Sequence, residues 1–219
     1  IDEQVIPAES ALLGSHDFRE VEQRMLEVRE HAKARGLWLP QIASKHGGLG
    51  LSLLEHGLVS EVLGRSPIGN YALNCQAPDA GNMEILIEFG SRAQRERWLE
   101  PLLKGTIRSC FAMTEPDKAG SNPIWLGTQA RREGDEYVID GHKWFITGAM
   151  HADFAIVVAR TEAGASWFLV DTDAPGFELV RDVRSTLGYI DGDFSTFAID
   201  CGTIQYDALI KWAGGYRSE

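Results

Sequence analysis

Near residue 106 the apolar residues of this chain change their spacing, and that change limits the fold more than any other feature. Before Thr106 they recur every three or four residues, the period of a helix face; after it they come in short strand-like runs. Asp17 can cap a segment in which Phe18, Val21, Met25, Val28 and Ala32 form one stripe, closing at Gly36. Ser52 with Glu55 is a capping box, and Leu54, Leu58 and Val62 stack down the helix it opens. Met83, Leu86 and Ile87 predict a third helix ending at Gly90. Ser91 with Gln94 starts a fourth, carrying Trp98, Leu99 and Leu102 to a stop at Gly105. The glycine-rich LPQIASKHGGLGLS between the first two reads as a compact loop.

Downstream, residues 107–113, 128–132, 137–140, 143–147, 154–159 and 167–170 read as strands, followed by 177–180 and 195–199. Glu133-Gly134-Asp135 marks a hairpin turn. The expected organisation is therefore α+β: a helical domain over 1–106 and a β domain over 107–219.

A hydrophobic content of 44% over 219 residues is enough for a real core. The net charge of −11 argues against nucleic acid and against anionic membrane surfaces as partners. Three scattered cysteines without CxxC spacing provide neither a disulfide framework nor a zinc site, so no metal and a reducing intracellular setting are expected. The chain has no apolar run of membrane-spanning length, and it opens on Ile1 rather than Met.

Two stretches carry the chemistry. The first is CFAMTEPDKAGSNP, Cys110 to Pro123, where a strand-like run gives way to Pro, Gly and small polar residues. Its bare backbone around Ala119 and Gly120, with the hydroxyls of Thr114 and Ser121, suits the oxygens of a pyrophosphate and the edge of a heteroaromatic ring. A sharp turn that satisfies only itself is the competing reading. The second is GHKWFITG, Gly141 to Gly148. If this segment is extended, Trp144 and Phe145 point to opposite faces, with Thr147 on the face of Phe145. The bland alternative is a half-buried strand with one exposed aromatic. His142, Lys143 and His151 read as hairpin surface.

FAMTEP…AGSN followed by GDEYVIDGHKWFIT resembles the middle domain of the acyl-CoA dehydrogenase family, and FGSRAQRERWLEPLLKGTIRS resembles the family's last N-terminal helix. The resemblance implies an N-terminal helical domain followed by a β-barrel-like middle domain that binds FAD. It implies that Phe111, Met113 and Thr114 edge the flavin, with Thr114 donating to the ring. Gly120 and Ser121 would lie by the pyrophosphate, with Ser121 also reaching substrate. Phe145 would stand where the family commonly has tryptophan, and Thr147 would reach the N5 region. Glu115 belongs to the structural part of the motif. The loop TEPDKAGSN is one residue longer than the family's commoner TEPGAGSD.

By the same resemblance the activity is α,β-dehydrogenation of an acyl-CoA thioester. The acceptor would be an electron-transfer flavoprotein, the assembly a homodimer or homotetramer, and the compartment bacterial cytoplasm or mitochondrial matrix. The family's catalytic base comes from a C-terminal helical domain with no counterpart in these 219 residues. The catalytic residue is therefore unassigned, and the chain is expected to be part of a longer dehydrogenase. Two alternatives stand beside this: a non-catalytic binding or assembly module or partner subunit on the same shell, and a related flavin oxidase or oxygenase.

Overall fold

The computed structural model describes residues 1–12, 18–119, 122–183 and 194–199. Helices come first: α1 (Val5–Leu12), α2 (Phe18–Ala34), α3 (Leu53–Leu63), α4 (Gly69–Ala72), α5 (Asp79–Phe89), α6 (Arg92–Gln94) and α7 (Glu100–Lys104). A π-helical stretch, Arg95–Leu99, joins α6 to α7. The strands follow: β1 (Ser109–Ala112), β2 (Gln129–Glu133), β3 (Glu136–Thr147), β4 (Phe154–Thr161), β5 (Gly164–Asp171), β6 (Phe177–Val183) and β7 (Phe194–Ile199).

Local chemistry explains three of the helix ends. Ser52 and Ser91 both form complete capping boxes, with Glu55 and Gln94, satisfying backbone donors that the first turn would leave open. Gly105 takes the left-handed conformation (φ 71°) that closes α7. Met25, Val28 and Ala32 of α2 are buried as the stripe requires, whereas Asp17 lies outside the described residues. Leu54, Leu58 and Val62 stack on α3 but face solvent, at 76%, 59% and 49% exposed. The glycine-rich loop is compact because Gly48 comes so close to Ile42 that a Cβ there would lie 2.1 Å from the Ile42 carbonyl oxygen.

The two halves share a core. On β1, β4 and β5 the side chains alternate. Phe111, Phe154, Ile156, Trp167 and Leu169 pack toward the helices with Leu39, Met83, Leu86, Trp98 and Leu102. Cys110, Ala112, Ala155, Val157, Phe168 and Val170 pack on the other face with Ile139 and Ile146. Asp79 at the start of α5 seals the junction: it accepts from Ser109 N (2.8 Å), Ser109 Oγ (2.6 Å), Arg108 Nε (2.9 Å) and Gln76 Nε2 (2.6 Å).

The barrel-like expectation is corrected. Strand order is β1-β4-β2-β3-β7-β6, with β5 on the far side of β4. Closing a barrel would require the end strands β5 and β6 to pair, and among the described residues no ladder joins them; the sheet is open. The two runs read as separate strands, 137–140 and 143–147, are one. Long β3 pairs with β2 through Asp140 and with β7 from Gly141 onward. Gly141 sits at the handover because a Cβ there would lie 2.2 Å from Thr128 Oγ1.

Candidate functional site

The carboxylate of Glu115, just past β1, organises this region. Gly127 N donates to Oε2 at 2.5 Å, and Thr128 N and Thr128 Oγ1 donate to Oε1 at 2.9 and 2.5 Å. Lys143 of β3 completes the set, with Nζ 2.8 Å from Oε1 and 2.9 Å from the Met113 carbonyl oxygen. Burial pushes the Glu115 pKa up, but the bonds from Lys143, Thr128 and the Gly127 and Thr128 amides outweigh it and bring it down to about 2. Burial lowers the Lys143 pKa, against the pull of Glu115. A carboxylate so depressed and fully engaged is a poor proton acceptor, so Glu115 is a structural hub.

Lys143 therefore departs from the expectation of a hairpin-surface residue; its side chain is 0% exposed. A β-bulge decides this. The β3–β7 register shifts between Lys143 and Ile146, and Phe145 inside the shift has a left-handed φ of 50°. Lys143 and Ile146 both turn inward, while Phe145 stands 50% exposed. Regular alternation thus breaks at Phe145, and Trp144 and Phe145 do not stand apart on opposite faces. Their rings touch, with centroids 4.7 Å apart and planes at 60°.

Two further bonds tie the motifs together. Trp144 N donates to the Thr114 carbonyl at 3.1 Å, and Thr114 Oγ1 donates to the Trp144 carbonyl at 2.6 Å. Thr114 is thus bound to a residue thirty positions away, which a self-contained turn does not do. Met113 and Thr114 are held against Lys143 and Trp144 through these contacts. Phe111 packs edge-on against Trp167 (5.9 Å, 86°) in the core shared with the helices. Thr147, half-buried, ends β3 opposite Phe194. Gly120 and Ser121 lie outside the described residues. Just after them Asn122 caps a turn at Pro123–Trp125 that holds Ile124 and Trp125 in solvent, 76% and 59% exposed.

Sequence reasoning missed Lys143, Thr128 and Gly141 as parts of this unit. A lysine between His142 and Trp144 gave no sign of burial. The signal that could have found it was the unpaired carboxylate of Glu115 in a bare loop. Among the described residues no group of three His, Cys, Asp or Glu could hold a metal ion, and no helix is long and apolar enough to cross a membrane.

An aromatic face stands in solvent on a bulge, a second ring supports it, and Thr114 is bonded to the backbone that carries that second ring. Comparison with known proteins bears on the class. Residues 3–106 match the acyl-CoA dehydrogenase N-terminal domain and residues 110–201 match the acyl-CoA dehydrogenase middle domain. This chain belongs to the acyl-CoA dehydrogenase family.

Among its relatives, acyl-CoA dehydrogenase family member 11 of Gallus gallus is 39% identical over 208 residues, 86% of this chain and 26% of that protein. FadE2 of Mycobacterium tuberculosis, assigned as an acyl-CoA dehydrogenase, is 44% identical over 164 residues, covering 71% of this chain and 40% of its own length. A solved structure from Mycobacterium abscessus, assigned to the same enzymes, superposes with a TM-score of 0.84 at 36% identity, over 92% of this chain and 55% of that one. A glutaryl-CoA dehydrogenase from Mycobacterium smegmatis, solved in complex with FADH2, gives 0.69 at 27% identity, over 99% of this chain and 57% of that one. The chain thus spans about a quarter of the Gallus relative and little more than half of each solved chain.

Proposed function

We propose that this chain carries the FAD-binding part of an acyl-CoA dehydrogenase, one that oxidises an acyl-CoA thioester between its α and β carbons. The observation that carries the reading is the reciprocal pair of hydrogen bonds between Thr114 and Trp144, which brings the bare loop and the aromatic hairpin into one surface beside exposed Phe145. FAD, when bound, supplies the hydride-accepting ring. Phe145 gives that ring an aromatic face, Thr114 and Thr147 address its polar edge, Met113 flanks it, and Phe111 backs it from the shared core. Gly120 is assigned to the pyrophosphate, and Ser121 to the pyrophosphate and substrate.

In this reading residues 1–106 form the helical wall and 107–219 the flavin-bearing part. The base that takes the α proton is assigned to no described residue. An electron-transfer flavoprotein is the proposed acceptor and a homo-oligomer the proposed assembly. Reconstitution with FAD tests the reading: the chain should retain stoichiometric flavin absorbance through gel filtration, and failure to retain it would falsify the proposal. Anaerobic titration with acyl-CoA of graded length then tests dehydrogenation in the longest natural form of the protein. Flavin that binds but is bleached by none of them marks a binding module instead.

A further inference from the structure

We infer that Lys143 is a positioning residue for the flavin site: its buried ammonium fixes the Met113–Thr114 peptide so that the Thr114 N–H faces away from the core as a polarised donor for the ring's hetero-edge. The inference rests on reading this surface as the flavin site.

Lys143 Nζ lies 2.9 Å from the Met113 carbonyl oxygen and is itself fully buried. In a planar trans peptide the carbonyl and the following N–H point in opposite directions. With the Met113 oxygen drawn inward to Lys143, the Thr114 N–H must point away from it. The next peptide is held as well, because the Thr114 carbonyl accepts from Trp144 N at 3.1 Å. Two consecutive carbonyls are thus engaged on the hairpin side, and the loop cannot rotate its peptides freely.

The charge adds a second effect. A cation on a carbonyl oxygen polarises the peptide and strengthens its N–H as a donor. Glu115, 2.8 Å from the same ammonium, compensates the charge, so the polarisation comes without a lone buried cation. Stability alone does not account for a lysine here, since apolar residues of similar volume commonly replace buried ion pairs without loss.

The test uses Lys143→Met and the double variant Glu115→Gln/Lys143→Met in this chain. The single variant leaves Glu115 without its cation and is read only where it folds; the double variant has neither charge and keeps the experiment decisive. Both are expected to bind FAD about tenfold more weakly, measured by flavin fluorescence titration. Both should also move the Thr114 amide proton upfield in the flavin-free protein, seen by ¹H–¹⁵N spectroscopy. A double variant that regains wild-type FAD affinity along with its stability, or an unmoved Thr114 resonance, would overturn the inference. A wild-type chain that binds no FAD removes the proposed function instead, and the Thr114 resonance alone then decides the role of Lys143.

Discussion

Lys143 and Glu115 come from opposite motifs, 28 residues apart, yet their charged groups meet at 2.8 Å with both side chains buried. The pair is the point where the loop after β1 and the second half of β3 become one unit. Its energetics are readable from outside. The folded-state pKa of Glu115 is about 2, against 4.5 for the free carboxyl. Between those values the unfolded chain binds the extra proton. The stability contributed by Glu115 is therefore fully present above about pH 4.5 and is lost as pH falls toward 2. That loss amounts to roughly 3 kcal/mol. Urea unfolding at stepped pH should show it in wild type, and Glu115→Gln should flatten the same window. Equal acid slopes in the two proteins would remove the pair from the account.

Asp79 predicts a larger effect. Its side chain is 0% exposed and receives four donors, two from Ser109 and one each from Arg108 and Gln76. Asp79→Asn turns one acceptor into a donor facing other donors and takes the carboxylate away from Arg108 Nε. A cost of about 3–5 kcal/mol follows. Asp171 offers the control. It also joins helix to strand, through Arg97 and Trp98 Nε1 (2.9 Å), but Arg97 is largely in water. Asp171→Asn should cost about 1 kcal/mol or less. Chemical denaturation of the two variants side by side checks the ranking.

Gly141 is required by contact rather than by conformation. A Cβ there would meet Thr128 Oγ1 at 2.2 Å and Thr128 Cβ at 2.6 Å, and that hydroxyl is already bound to Glu115. Gly141→Ala should cost about 2–3 kcal/mol and loosen the Glu115 hub. Adding Thr128→Ser, which removes the Thr128 Cγ2 methyl, itself 2.6 Å from that Cβ, should recover part of the loss. A neutral Gly141→Ala in thermal unfolding would show that β3 has room to move at its handover.

Cys75 and Cys110 should be inert in the native protein. Burial raises both thiols, Cys75 to about 12 and Cys110 further, so almost no thiolate is present at neutral pH. Alkylation with iodoacetamide, mapped by mass spectrometry, should label neither until denaturant is added. Native labelling of Cys110, which is 0% exposed, would contradict the packing of β1.

Much of the frame was legible in the sequence because it rests on local rules. Both capping boxes, the stop at Gly105 and the strand-like runs each depend on a few neighbouring residues. The openness of the sheet was not legible. It depends on whether β5 and β6 meet, and no local pattern in either strand encodes that. The site divides the same way. Thr114 and Phe145 were visible as chemistry, whereas Lys143 read as surface because its partner, Glu115, lies 28 residues away in the other motif, and the bulge beside it has no marker beyond Phe145 itself. α3 shows the converse limit: periodicity put Leu54, Leu58 and Val62 on one face without saying that the face is exposed.

Phe145 separates stability from function. Its φ of 50° is costly for a residue with a Cβ, about 1–2 kcal/mol, and half its surface lies in solvent. Phe145→Gly relieves that strain but adds freedom to the unfolded chain, worth about 0.5–1 kcal/mol in the other direction. It also gives up the contact with Trp144. The net change in unfolding free energy should stay within about 1 kcal/mol. FAD affinity, in contrast, should fall several-fold as the aromatic face disappears, and Phe145→Trp should retain it. Differential scanning calorimetry and flavin titration on the same samples decide the matter. A Phe145→Gly variant that unfolds much more easily would make the ring a packing element. One that binds FAD as well as wild type would leave a strained, exposed aromatic with no ligand to explain it.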